Sequence, residues 1–417
     1  MTGSPSSSSR AASVSGAASP GLGLALIVLL GALTAFAPMA IDMYLPGLPA
    51  MSRDLGVETA AGQLTIASFF VGFAFGQLFY GPVSDRLGRR APLLAGVLIF
   101  VLASVGCAFA TSMEALIALR FLQALGAASA PLISRAVVAD RCSGIEAART
   151  FSMLMLVMGL APILAPTLGG FLLLAGGWRS IFWVLAGFGA LALVWALLAL
   201  PETLSAEARK ARPREQVLKA YWQVLTNRAI IAYALLAAFG SAALFSYISN
   251  APTLIIEVYG VPPAHFGWVF GLNAAALVGA TQVNRILLSR HSPITLIRRA
   301  NMAMMVLAVL MAASAVTGIG GMLGVLVPMF FVMATLGFTT SNATALAMDI
   351  DHARAGTVSS VVGSIQFTVG AVFAAVTSAA NDGTATPMAA GVLVAALCAA
   401  FLLFRLRRAQ RLRAGAR

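Results

Sequence analysis

Acidic residues are scarce in this chain: 14 among 417, against 27 basic ones. Charged residues make up only 10% of the sequence and hydrophobic ones 60%, and a mean hydropathy of +0.92 excludes an ordinary water-soluble domain. Lysine is nearly absent, limited to Lys210 and Lys219. Neither sits in a GxxxxGK[ST] loop, which excludes nucleotide hydrolysis by a Walker lysine. The three cysteines make no disulfide framework, because Cys107 and Cys398 lie inside apolar runs and Cys142 in a short connection. His265, His291 and His352 share no ligand spacing, so no metal is expected. No nucleophile with a base is visible, and the chain does not read as an enzyme. The 13 excess positive charges fall in gaps between apolar segments, so they report membrane topology rather than nucleic-acid binding.

What the chain has is long apolar runs. Taking about 20 apolar residues as one crossing, the sequence predicts twelve helices near 22–45, 62–80, 91–110, 114–136, 150–174, 180–199, 228–249, 266–288, 294–316, 320–345, 356–378 and 386–404. Residues 1–20, rich in Ser, Ala and Gly, read as a disordered tail. A signal peptide is excluded because the first apolar run outlasts an h-region and many spans follow. The polar stretch 201–227 divides the spans into six-helix bundles over 21–200 and 228–405, followed by a basic tail over 406–417. With both termini cytoplasmic, only Arg53 and Arg179 of the basic residues lie outside and Arg120 lies within the membrane, which satisfies the positive-inside rule. A weak echo of VSDRLGRRAP (83–92) in VNRILLSRHSP (283–293) suggests two related halves.

Asp42, in PMAIDMYLPGLP, is the one carboxylate placed inside a span. An ionised acid there costs about 2.5–3.5 kcal/mol on insertion scales, so it should face protein or water. Pro46 and Pro38 remove the N–H groups that would bond the carbonyls of Asp42 and Thr34, and such acceptors are tolerated only beside protein or a water-filled cavity. The plainer reading is an interfacial acid near the outer end of its span. Arg120 lies too far from the inner end of span four to snorkel there. Placing Asp42 about three and Arg120 about six residues from the outer surface sets the two at similar depth, so they are read as a proton-coupling pair in one cavity. Gln123 and Gly126 continue the polar, small-sided stripe of Arg120. A structural Arg120 bonded to backbone carbonyls is the alternative.

Several segments together resemble a family. GPVSDRLGRR (81–90) is similar to the signature between spans two and three of the major facilitator superfamily, Arg120–Gln123–Gly126 to its basic motif in span four, and GLAPILAPTLGG (159–170) to its antiporter motif in span five. With DMYLPGLPAM, GWRSIFWVLA, PETL, ISNAPTLIIEVYGV and FGWVFGLNA in order, residues 25–405 resemble the Bcr/CflA drug exporters. The resemblance implies an all-α fold of twelve membrane helices in two bundles around a cavity. It also implies proton-driven antiport of drugs such as bicyclomycin or chloramphenicol, a bacterial inner-membrane location, and no cofactor beyond the proton gradient. A monomer is expected, with lipid, protons and a small-molecule drug as its only partners. Thr34 stands where some relatives of the wider group carry a second acid, so one membrane acid and one arginine suit neutral or zwitterionic cargo better than cations.

The motifs also carry a reading of their own. Gly81, Pro82 and Gly88 permit a tight reversal, while Asp85 opposite Arg86, Arg89, Arg90 and either Arg135 or Arg141 can pair to latch one conformation. Asp140 is a second candidate partner, and a positive-inside anchor is the plainer role. Ala161, Ala165 and Gly169, beside Pro162, Pro166 and Gly170, mirror Gly267, Gly271, Ala275 and Gly279 in span eight. Small residues at that spacing suit a tight contact between bundles that seals one side against proton leak. Tyr44, Gln123, Asn250, Asn273, Asn342 and Gln366 are candidate cargo contacts, and Gln63 is a further polar span residue. Each is equally a helix-to-helix hydrogen bond. Phe69, Phe73, Phe245, Tyr247 and Phe270 offer an aromatic wall or simple core packing. Uptake of a metabolite or sugar by proton symport is the competing function on the same fold, and the proline-rich stripe in span five argues against it.

Overall fold

A computed structural model of the chain describes residues 23–204, 214–351 and 354–414. The expected tail over 1–20, the middle of the linker, His352 and the last three residues lie outside the described residues. Among those described, the chain is helical throughout, with no strand. Eleven helices are long and apolar enough to cross a membrane, and one of them, Gly144–Ala199, is 56 residues long. At 1.5 Å per residue it would measure about 84 Å, far beyond a hydrocarbon core of about 30 Å. It is broken at Gly176 and Gly177, the latter at φ +71°, and so supplies two crossings. Twelve spans result, as the hydropathy predicts.

The spans are labelled α1 (Leu24–Asp54), α2 (Thr59–Leu87), α3 (Arg90–Phe109), α4 (Met113–Arg141), α5 and α6 (the two arms of Gly144–Ala199), α7 (Arg228–Val258), α8 (Pro263–Leu287), α9 (Pro293–Thr317), α10 (Gly321–Ile350), α11 (Ala355–Ala379) and α12 (Thr386–Ala414). A linker helix, Arg214–Thr226, lies between α6 and α7. The side of the molecule that carries it is called the linker side, and the opposite side the far side.

Two spans are irregular where proline dictates. α1 breaks at Ala35, directly after Thr34, whose carbonyl Pro38 leaves free, then tightens to a 3-10 turn at Leu45–Gly47 and resumes as Leu48–Asp54. Pro46 and Pro49 sit in the first turns of these resumed pieces, where a missing N–H costs nothing. They restart the helix rather than end it, so the span runs past the predicted limit at 45. In α7, Pro252 is followed by a π-helical stretch, Thr253–Val258, the wider coil that forms when an i→i−4 bond is lost.

Packing inverts the arrangement of a soluble protein. Phe75, Leu102, Phe171, Leu191, Leu272 and Phe401 are exposed on the outer faces of the spans, as lipid-facing side chains must be. Within the first half, α4 is flanked by α2 and α3 at close range: a Cβ on Gly126 would meet the Gly96 carbonyl at 2.5 Å. Between the halves, α2 packs on α11 and α5 on α8.

Candidate transport site

Arg120 is fully buried on α4. Its Nη1 donates to the Ala40 carbonyl of α1 at 2.9 Å and to Gln123 Oε1 at 2.6 Å. Gln123 Nε2 in turn donates to Ser104 Oγ of α3 at 2.8 Å, and that hydroxyl donates to the Phe100 carbonyl at 2.6 Å. The guanidinium carbon lies 4.6 Å from the Tyr44 ring centroid, 4.5 Å from Phe69 and 5.9 Å from Phe182, so aromatic quadrupoles stand in for solvent. Its Nε and Nη2 have no hydrogen-bond partner. The Tyr44 hydroxyl, 2.5 Å from Thr65 Oγ1, fixes one of these rings; because Thr65 donates to the Gly62 carbonyl at 2.6 Å, Tyr44 is the donor between them.

Asp42 is 4% exposed and ends the α-helical piece before the 3-10 turn. Its depth differs from the expectation. Because α1 continues to Asp54, Asp42 lies about 18 Å along the helix from the far-side end, and Arg120 about 10 Å from the corresponding end of α4. The arginine side chain spans this offset, donating to the Ala40 carbonyl two residues before Asp42 and lying over the Tyr44 ring two residues after it. Among the described residues no ion pair joins Asp42 to Arg120, and no hydrogen bond reaches the Asp42 carboxyl. Its oxygens are not among the fully sealed unpartnered atoms, although the residue as a whole is buried. Between Leu33 and Pro49 only Pro38 and Met39 are half-buried, the rest being buried. At 100° per residue Asp42 falls between these two in direction, so within this stretch it lies on the more accessible face.

On the linker side a second polar cluster gathers around Arg89. Its Nε donates to Asp140 Oδ2 at 2.9 Å, and its Nη1 to Asp85 Oδ1 at 2.7 Å and Ser84 Oγ at 3.0 Å. Burial pulls this guanidinium toward its neutral form, but Asp140 and Asp85 outweigh it and hold the group above its ordinary range. Of the arginines proposed as partners of Asp85, Arg89 bonds it. Arg90 Nη2 instead donates to the Leu197 carbonyl at 2.6 Å, Arg86 is exposed, and Arg135 Nη2 reaches Met158 Sδ at 3.7 Å. Glu202 of the PETL segment joins the cluster unforeseen. It accepts the Arg89, Arg90 and Leu204 N–H groups at 2.9, 3.3 and 3.0 Å, placing an anion at the N-terminus of α3. Gly88, at φ +96°, is required twice over: the backbone is left-handed, and a Cβ would lie 2.2 Å from Glu202 Oε2.

The family model described as Major Facilitator Superfamily matches residues 30–375. The chain belongs to that superfamily. It is 36% identical over 387 residues to the uncharacterized MFS-type transporter YdgK of Bacillus subtilis, covering 92% of this chain and 95% of the relative. To a bicyclomycin resistance protein homologue of Haemophilus influenzae it is 30% identical, with 91% and 96% covered. To the multidrug resistance protein MdtL of Escherichia coli it is 27% identical, with 89% and 93% covered. These names are consistent with the Bcr/CflA likeness of the motifs. Among solved structures, a bacterial homologue of the human lysosomal transporter Spinster, inward-facing and unoccupied, superposes with a TM-score of 0.71 at 15% identity, over 93% of this chain and 98% of that one; that likeness concerns the fold. The chain is therefore a multi-pass membrane transporter, not an enzyme.

In this facilitator the two bundles meet along seams that differ in register from the expectation. Gly267 and Gly271 of α8 do face α5: a Cβ on Gly267 would lie 2.3 Å from Thr167 Oγ1, and one on Gly271 3.4 Å from Ile163. Gly170 faces back, 2.8 Å from the Pro263 carbonyl. Gly169 does not take part, because its Cβ position points within the bundle to the Met43 carbonyl of α1, 1.8 Å away. Ala275 and Gly279 also leave the seam and line an apolar groove of 390 Å³ between α8 and α10, beside Phe330 and Phe331. A four-residue spacing advances about 40° per step, so a straight stripe cannot stay on one face. Pro162 and Pro166 lie inside continuous helix. At the far-side seam Gln63 makes a helix-to-helix hydrogen bond, to Thr253 at 2.8 Å, and two links that sequence did not reveal join it, Thr59 to Glu257 at 3.1 Å and Arg53 to Glu257 at 3.8 Å.

Most candidate cargo contacts are engaged within the protein. Asn250 Nδ2 donates to the Ser246 carbonyl at 2.8 Å and Thr377 Oγ1 at 2.9 Å. Asn273 Nδ2 donates to the Tyr247 hydroxyl at 3.1 Å and leaves its Oδ1 unpartnered. Asn342 and Asn284 exchange amide bonds at 2.8 and 3.4 Å. Gln366 is half-buried with no partner among the described residues. The aromatics gather into a plug across the seam, with Phe70 and Phe73 of α2 against Phe245 of α7 and Phe367 of α11 at 4.4 to 6.0 Å.

Proposed function

We propose that this facilitator exports small amphipathic drugs, neutral or zwitterionic and of the bicyclomycin or chloramphenicol type, in exchange for protons by alternating access. The linker side is then cytoplasmic, both termini lie there, and the membrane is the bacterial inner membrane, as the distribution of arginines requires. The observation that carries the reading is Asp42: a carboxyl at membrane depth, on the more accessible face of its stretch of α1 and free of any protein partner among the described residues. An acid kept for structure would be bonded or paired. Arg120, bonded to the Ala40 carbonyl two residues before Asp42 and with two nitrogens unpartnered, supplies the positive field against which protonation of Asp42 is set. Entry of cargo or rearrangement of the bundles alters that field, and the far-side links of Gln63, Thr59 and Arg53 to α7 are those that outward opening must break. The names of the relatives supply the cargo class.

The test is addition of chloramphenicol to everted vesicles holding an energised, acidic lumen. Export predicts drug accumulation with release of lumenal protons. Drug movement that ignores lumenal acidity removes the coupling, and drug leaving the vesicles together with protons favours the symport alternative.

A further inference from the structure

The transport scheme gives the linker helix (Arg214–Thr226) no task, yet its surface is sorted into three sectors. Val224 is fully buried in a cluster with Ile230, Ala234 and Val358. The Tyr221 hydroxyl sits at the seam between α2 and α11: a Cβ on Gly81 of α2 would lie 2.9 Å from it and 3.7 Å from Ser360 Oγ of α11. Gly81 and Ser360 are each within two turns of the linker-side ends of their helices, and Asn227 alone separates the linker helix from α7. The helix therefore crosses the ends of three spans at the level where they leave the hydrocarbon.

At 100° per residue, Leu225, Leu218 and Trp222 fall about 40° to 100° to one side of Tyr221, and Thr226, Lys219 and Gln223 about 140° to 200°. The first group is 48%, 57% and 69% exposed in that order. A helix between protein and water needs two faces, one apolar and one polar. A third sector, apolar and exposed, with a tryptophan at its centre of exposure, fits a third medium, the headgroup boundary where Trp concentrates. On the same side of the molecule the end of α2 also exposes apolar side chains, Phe79 and Leu87 being 56% and 61% exposed. We propose that the linker helix is seated in the lipid headgroup layer by Leu218, Trp222 and Leu225, and that from this seat Tyr221 bridges the seam between α2 and α11, tying the joining of the two bundles to the membrane surface.

Spin labels placed singly at Leu218→Cys, Trp222→Cys, Lys219→Cys and Gln223→Cys test the seat in the full chain, with Cys398 replaced by Ala and the buried Cys107 and Cys142 kept. In phosphatidylcholine and phosphatidylglycerol vesicles, positions 218 and 222 should collide several-fold more with oxygen than with a water-soluble nickel chelate, and 219 and 223 the reverse. Nickel-dominated collision at 222 equal to that at 219 overturns the seat. The bridge is tested by the distance distribution between labels at Leu87→Cys and Gly356→Cys. Adding Tyr221→Phe, which keeps the ring and deletes the hydroxyl, should broaden it, and an unchanged distribution removes the bridge.

Discussion

The two halves of this transporter bury different chemistry. Among the described residues the buried charged side chains are Asp42, Arg89 and Arg120, all in the first half. The second half buries amides and hydroxyls that largely satisfy one another: Asn250 with Thr377, Ser249 with Ser378 at 2.9 Å, Asn273 with Tyr247, and Asn284 with Asn342. Neutral pairs are cheap to bury and indifferent to pH, whereas a buried charge is costly and responds to every change in its surroundings. The difference teaches that two bundles of one fold need not bury the same chemistry: the buried charge sits in the first, and the second offers it a neutral surface.

The largest effect that can break this comparison belongs to Asp42. Asp42→Asn preserves shape and removes the titratable group, so drug-evoked proton release should fall to background while the amount of inserted protein stays unchanged. Survival of full proton-driven export would place the coupling outside the charged half. Next comes Arg120→Lys. The charge remains, but the planar fork that reaches Ala40 and Gln123 while lying between the Tyr44 and Phe69 rings is lost. An initial export rate about tenfold lower or worse is expected, equivalent to about 1.4 kcal/mol or more at the barrier. A normal rate would mean that charge alone suffices.

What sequence could foresee follows from the range of the interactions. Span number came from hydropathy, because the bilayer imposes length on each helix separately. The Arg120 to Gln123 contact was legible as an i, i+3 spacing, and Asp140 near Arg89 as two charges at the same membrane level. Asp42 was set near the outer end of its span because the apolar run was ended at 45, whereas Pro46 and Pro49 in first-turn positions let the helix restart and run to Asp54. The pairing of Asp42 with Arg120 was inferred from depth, yet depth says nothing of azimuth, and the arginine turns to a carbonyl. The small-residue stripes in α5 and α8 were drawn without the 40° drift per step, so Gly169 and Gly279 were assigned to a seam they do not face. Glu202, Glu257 and Tyr221 act across long sequence separations, and no local pattern announces such partners.

The smallest expected effect sharpens the comparison from the neutral half. Asn342→Leu leaves the buried Asn284 amide without its partner, and interhelical hydrogen bonds in membranes average about 0.6 kcal/mol with extremes near 1.7. A loss of about 1 kcal/mol in denaturant stability is expected, with the proton release evoked by drug unchanged. Replacing both residues with Leu should recover much of that loss, because removing both partners leaves no orphan. The same double variant tests more than packing. If it folded but failed to transport, the reciprocal amides would be touching cargo or gating its passage, and the second half would no longer be a neutral partner. If it transported normally, Asn342 would be confined to holding α8 against α10, and recognition would have to come from the half that carries the charge.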